Sequence, residues 1–154
     1  MTTHPRVQLA LNVSDIDAAV DFYSQMFDAQ PHKRRPGYAN FALESPALKL
    51  VLIENTAAPG TLNHLGVEVP GVGDVAEARG RLSLGGLDMQ VEDDVVCCHA
   101  RQDKVWVSDP DGASWEFYTI TDDDPATQGL TLTEQGCCGG DQPSDAAGEP
   151  CCAT

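Results

Sequence analysis

All six cysteines come as neighbours: Cys97-Cys98, Cys137-Cys138 and Cys151-Cys152. Consecutive alpha carbons lie about 3.8 Å apart across a trans peptide, short of the roughly 4.4–6.8 Å that a relaxed disulfide spans. Each pair therefore reads as two thiols offered to one soft atom in a reducing compartment. A second set of residues points to a metal ion. His64 and Glu116 are a nitrogen and an oxygen donor, and Gln8 adds a third donor through its amide. Singly, each has an ordinary explanation: a core histidine on a backbone carbonyl, an edge carboxylate facing water, a hydrogen-bonded buried amide. The case for ligation rests on where the fold puts them.

The elements that must position these donors read twice along the chain. Residues 7–13 (VQLALNV) form a strand, and Ser14 with Asp17 gives an S-x-x-D cap opening a helix to about residue 28. Ile16, Ala19, Val20, Tyr23 and Phe27 recur at helical spacing and should face a sheet. Extended stretches follow near 32–34, at 38–43 and at 48–54, with turns at Pro36-Gly37 and Glu44-Ser45-Pro46. After residues 55–61 the same grammar returns. There is a strand at 63–69 (NHLGVEV), a helix capped by Asp74 and ended by Gly85-Gly86, and extended stretches at 88–91, 105–108 and 114–120. Residues 92–103, which hold Cys97-Cys98, read as a long, partly irregular connection. The predicted architecture is α+β: two βαβββ modules, 1–54 and 62–121, in one domain (1–121) whose curled mixed sheets surround the metal site. Residues 122–154 are acidic and rich in Gly, Pro, Asp and Ser, and are expected to be a disordered, Cys-containing tail.

The repeat sets the register. Placing VQLALNV over HLGVEV puts Gln8 opposite His64, a spacing of 56 (64 − 8). Placing PALKLVLI over GASWEFYT puts Leu50 opposite Glu116. Four equivalent positions then carry Gln8, Leu50, His64 and Glu116, three ligands and one residue unable to bind. His4 competes with Gln8, being four residues earlier on the same strand face if the strand reaches that far; the register favours Gln8. Glu54 falls outside the register and reads as a solvated charge.

Bulk properties narrow the class. The chain has 154 residues, is 42% apolar and carries a formal charge of −15, which suits one folded domain and opposes binding to nucleic acid or an anionic membrane surface. There is no apolar run of spanning length and no secretory pattern at the N-terminus, so the expected location is the cytoplasm.

The duplicated module with SDIDAAVDFYSQMF after its first strand, and the closing DPDGASWEFY at 109–118, resemble the vicinal oxygen chelate superfamily of glyoxalases, fosfomycin-resistance proteins and extradiol dioxygenases. The resemblance covers roughly residues 6–121 and implies that Glu116, on the closing strand, is a metal ligand. Superfamily members often dimerise, so a homodimer is the assembly this resemblance implies. An imidazole, one carboxylate and a third N or O donor resemble the facial triad of non-haem iron(II) oxygenases, which keeps positions open for substrate and dioxygen. With Leu50 in the fourth place the site cannot close, whereas four protein ligands would favour Lewis-acid chemistry. The expected cofactor is Fe(II), with O2 as co-substrate. Gln8 departs from the histidine usual in an extradiol triad.

Within the superfamily, Cys97-Cys98 together with RVQLALNV and PGYANFAL resembles the arsenic-resistance carbon-arsenic lyases and cadmium-induced proteins. This resemblance implies that Cys97 and Cys98 hold a trivalent organoarsenical, methylarsonous acid or an aromatic arsenical, as a dithiolate beside the iron. The carbon-arsenic bond then breaks and arsenite is released. Tyr38 is a candidate pocket wall or simply a core aromatic. His99, Arg101 and Lys104 are candidates for supplying a proton or holding an anion, set against a solvated loop. Cys137, Cys138, Cys151 and Cys152 either hand over soft metal, scavenge it or have no role. Two rivals remain: thiol-based sequestration of arsenite or cadmium, and another superfamily activity such as a thiol transferase or a ring-opening dioxygenase.

Overall fold

The first strand already reveals an unusual interior. In the computed structural model, which describes residues 2–97 and 99–125, β1 (Arg6–Val13) buries Arg6, Gln8, Ala10 and Asn12 while Leu9, Leu11 and Val13 are only half-buried. Three of the four most enclosed side chains are polar, so this face lines a site and the odd-numbered face packs on a helix. That helix is α1 (Ile16–Phe27). Its Ile16, Ala19, Val20, Tyr23 and Phe27 pack with Leu9, Leu11, Phe41, Leu50 and Leu52.

The order continues with β2 (Lys33–Arg35), β3 (Tyr38–Glu44), β4 (Ala47–Glu54), β5 (Leu62–Glu68), α2 (Val72–Leu84), β6 (Gln90–Cys97), β7 (Ala100–Ser108) and β8 (Ser114–Asp122). The eight strands form one mixed sheet, in the order β2-β3-β4-β1-β5-β8-β7-β6. β1 is antiparallel to β5, and each has a parallel partner outside it, β4 and β8 respectively. Both helices pack on the outside of this curled sheet, α1 against β3 and β4, α2 against β7 and β8. The fold is thus α+β, and among the described residues no helix is long and apolar enough to cross a membrane.

The edges of the sheet meet over its concave face. Lys33 Nζ on β2 donates to the His99 carbonyl at 2.9 Å and to the Asp123 carboxylate at 2.9 Å, while His32 Nε2 lies 2.7 Å from Asp123 Oδ2. The turn between β6 and β7 is therefore clasped to the opposite end of the sheet.

Several local expectations are corrected. The N-cap of α1 is Asp15, whose carboxylate accepts the amides of Asp17 and Ala18, and not Ser14. Glu54 is no idle charge: its carboxylate accepts the Ile16 amide at 3.0 Å, at the positive end of that helix. α2 starts after Gly71, with Asp74 one turn in and accepting the Gly71 amide at 2.9 Å. Residues 92–97 and 100–103 are not a loose connection but the paired strands β6 and β7, bent by a register shift between Glu92 and Val95 where Asp94 has φ 56°.

Candidate metal centre and thiol pocket

The two-fold register is visible in strand pairing. β1 and β5 pair Gln8 with Gly66 and Ala10 with His64, so a step of 56 exchanges the strands and carries Gln8 onto His64. Outside them, Ala10 pairs with Val51 and Gly66 with Glu116. The position equivalent to Glu116 is therefore Val51, and the assignment of Leu50 is wrong by one residue. Leu50 belongs to the α1 side of the sheet, in the apolar core. The chemical consequence is unchanged, because valine has no donor either.

Cross-strand register brings the rest of the site into rows, since directly paired residues project from the same face. Lys49, Gln8, Gly66, Glu116 and Trp106 form one row across five strands. Arg6, Glu68, Tyr118 and Lys104 form the next. His64 stands on the other side of the first row, beside Ala10 and Val51. Gly66 is what lets its neighbours converge: a Cβ there would lie 3.0 Å from Glu116 Cγ and 3.3 Å from Gln8 Cβ.

Gln8, His64 and Glu116 are 5%, 3% and 3% exposed and meet at one point. Gln8 Nε2 donates to Glu116 Oε1 at 2.7 Å and lies 3.1 Å from His64 Nε2. The second carboxylate oxygen of Glu116 accepts from Lys104 Nζ at 2.8 Å, and the Tyr118 hydroxyl donates to Gln8 Oε1. Burial alone would raise the Glu116 pKa, but the neighbouring Lys104 ammonium outweighs it and holds the group well below the ordinary carboxylate range. The same carboxylate pushes the Lys104 ammonium upward against its own desolvation. Burial drives the Tyr118 phenol well above its ordinary range, so it stays a neutral hydroxyl able to donate or accept.

This donor set fits a divalent cation. Two inward lone pairs, on His64 Nε2 and Glu116 Oε1, are satisfied by a single amide nitrogen, which stands where a positive charge would be most stable. Turning the Gln8 amide over presents Oε1 in its place, and Tyr118 then accepts from Nε2 instead of donating to Oε1. Among the described residues no group of three His, Cys, Asp or Glu side chains could hold a metal ion, so a cation here would need the Gln8 amide as its third donor.

Cys97 is buried and lines the same cavity as Gln8, His64 and Glu116, at the end of β6. Its carbonyl accepts from Gln102 Nε2 at 3.0 Å. Cys98, like Cys137, Cys138, Cys151 and Cys152, lies outside the described residues. Tyr38 walls the cavity from β3. His99 packs its ring on Tyr38 at 5.4 Å with a left-handed φ of 64° and does not line the cavity. Lys104 is inside, not on a solvated loop. Arg101 is separated from the site: it pairs with Asp94 at 2.9 Å on the outer surface. His4, the rival ligand, is also elsewhere, 3.6 Å from Glu44.

Sequence reading missed Tyr118, Gly66 and Trp106, each two residues from a proposed site residue on a strand, where period-two alternation could have found them. It also missed Lys49, which is 3% exposed and lines the cavity, and whose ammonium makes no hydrogen bond or ion pair with any described residue. Desolvation pushes the Lys49 pKa down.

Fold and register define a duplicated βαβββ module whose concave face gathers the Gln8, His64 and Glu116 side chains. The chain belongs to the glyoxalase/bleomycin resistance protein/dioxygenase superfamily, whose family profile matches residues 6–117. It is 46% identical over 154 aligned residues, 96% of this chain and 99% of the relative, to a protein of Thermomonospora curvata named trivalent organoarsenical cleaving enzyme. It is 56% identical over 118 residues, 77% of this chain and 78% of the relative, to the cadmium-induced protein CadI of Mycobacterium tuberculosis. Among solved structures, the Mn(II)-bound glyoxalase from Novosphingobium aromaticivorans superposes with a TM-score of 0.57 at 19% identity, over 76% of this chain and 38% of that one. At that identity the likeness is one of fold.

Proposed function

We propose that this protein cleaves the carbon-arsenic bond of trivalent organoarsenicals, methylarsonous acid and aromatic arsenicals among them, in an Fe(II)- and dioxygen-dependent reaction that releases arsenite. The carrying observation is that Cys97 lines the cavity into which the amide, imidazole and carboxylate of Gln8, His64 and Glu116 converge. The name of the Thermomonospora relative supports the same substrate.

Each As–OH of the substrate exchanges with one thiol and releases water, so Cys97 and its sequence neighbour Cys98 hold RAs as a dithiolate with only the organic group left free. Gln8 Oε1, His64 Nε2 and Glu116 would hold the iron, and the apolar Val51 keeps a fourth protein ligand away. Iron supplies, when bound, the redox partner that dioxygen requires. Lys104 fixes the outer oxygen of Glu116, and Tyr118 sets the Gln8 amide. For the methyl substrate the atoms balance without a further reductant: CH3As(OH)2 and O2 give formaldehyde and arsenous acid. Hydrolysis of the two As–S bonds then restores the thiols.

The test is to incubate Fe(II)-loaded protein with methylarsonous acid, with and without air, and to speciate arsenic and assay formaldehyde. Air-dependent arsenite with matching formaldehyde is expected. Methylarsenic retained unchanged on the protein would replace this reading with sequestration, and absence of arsenic binding would leave another superfamily activity.

A further inference from the structure

β1 and β5 leave register at one point. Ala10 pairs with His64 and Leu11 with Leu62, so Asn63 is an extra residue on β5. A bulge of this kind re-aims a side chain, and here two consecutive side chains meet: Asn63 Oδ1 lies 2.7 Å from His64 Nδ1. From Asn63 a line of hydrogen bonds leads to the surface. Asn63 Nδ2 donates to Asn12 Oδ1 at 3.0 Å, Asn12 Nδ2 to Thr61 Oγ1 at 2.9 Å, and Thr61 Oγ1 to the Ala58 carbonyl at 2.6 Å.

The direction of this line is forced from its outer end. A carbonyl oxygen has no proton, so Thr61 must spend its only one on Ala58. Its oxygen can then only accept, which obliges Asn12 to present its NH2. Asn12 Oδ1 therefore faces Asn63 and takes an N–H from it, which leaves Asn63 Oδ1 facing His64 with nothing to give. His64 must carry its proton on Nδ1. Backbone bonds hold the far end in place, Asn12 N to Thr61 O and Gly60 N to Asn12 O, both at 2.9 Å.

We infer that Asn63, Asn12 and Thr61 are positioning residues that lock neutral His64 as its Nδ1–H tautomer, so that the Nε2 lone pair is permanently aimed at the cation site. An imidazole ligand needs this service, because its other nitrogen decides which tautomer exists and how the ring is turned. The segment joining the two modules thereby reaches the metal centre through three side chains. The inference rests on His64 as a ligand for its purpose, though not for its geometry.

The experiment uses the full chain with 15N-labelled histidine. Long-range 1H–15N correlation reads the tautomer of His64 in chelator-treated protein, and titration with Co(II) gives the affinity. Wild type is expected to show Nδ1–H alone. Asn63→Leu should mix the tautomers and weaken Co(II) roughly 10- to 100-fold, as loss of a partner behind a ligating histidine does. Asn63→Asp keeps the acceptor and should restore both readouts. Thr61 is exposed, so Thr61→Val tests the line without touching the core, and an intermediate loss is expected. Pure Nδ1–H and unchanged Co(II) affinity in both Asn63→Leu and Thr61→Val would overturn the inference. A locked Nδ1–H tautomer in a protein that binds no Co(II) would instead sink the metal reading and leave the hydrogen-bond line standing.

Discussion

Lys104 and Glu116 are almost wholly enclosed, and their 2.8 Å contact is the main charge compensation for the carboxylate in the metal-free protein. Lys104→Met should cost about 3–5 kcal/mol there, the usual penalty for stranding one member of a buried ion pair. A divalent ion on the inner oxygen supplies part of the missing positive charge, so the deficit should shrink when Co(II) is present. Urea unfolding with and without Co(II) measures both, and an equal deficit would place no cation beside Glu116. Gln8, His64 and Glu116 could be read from sequence because a duplicated fold repeats its strand parity, and one offset links two of them. Period-two alternation puts Tyr118 and Gly66 on the same strand faces as Glu116 and His64, but only the cross-strand register shows that they, and Lys49, reach the site. The one-residue slip between Leu50 and Val51 has the same origin. Every residue from Leu50 to Ile53 is buried, so the run carries no alternation to fix which face looks inward.

The β6–β7 hairpin is the element that carries Cys97 to the cavity, and its sequence hid it. Charged residues along an edge strand, together with the extra residue near Asp94, erase the alternation by which a strand is recognised. Helix ends were misread for a different reason: Ser14, Asp15 and Asp17 are all able caps, and only backbone geometry selects Asp15. At the hairpin tip, burial and then the nearby Arg35 and Lys33 charges lower the His99 pKa from 6.5. The folded state therefore resists protonation. Stability is full above pH 6.5 and declines as pH falls below it, because the unfolded chain takes up the proton first. Denaturation midpoints at pH 7.5 and 5.5 should show this loss, and it should narrow in His99→Asn, since asparagine accepts the left-handed φ of 64°. An identical loss in both proteins would remove His99 from the account.

Across the whole molecule, the proposed ion is held by one side chain from the first module and two from the second, facing one another over the β1–β5 seam. Binding should therefore stabilise the two modules together. Free Co(II) at a hundredfold over its Kd adds about 2.7 kcal/mol by mass action, roughly a 10 °C rise in Tm for a domain of this size. Calorimetry under nitrogen, with Co(II) against chelator, checks this. The expectation is one transition that moves as a unit, and a Tm indifferent to Co(II) would contradict ligation across the seam. The overall fold was legible because strand, helix and turn signals recur in the same sequence twice. The clasp of Lys33 on His99 and Asp123 was not, because it joins segments about ninety and sixty-six residues apart that no local pattern connects.

The amide nitrogen of Gln8, resting between His64 and Glu116, has a kinetic implication. The cage is already assembled around that amide, so capturing an ion asks for a single torsional swing about the last side-chain bond instead of a rearranged backbone. Uptake and release would then be limited by how quickly hydrated ions shed water at the cavity mouth, with the protein itself keeping pace on the fast timescale of side-chain rotation.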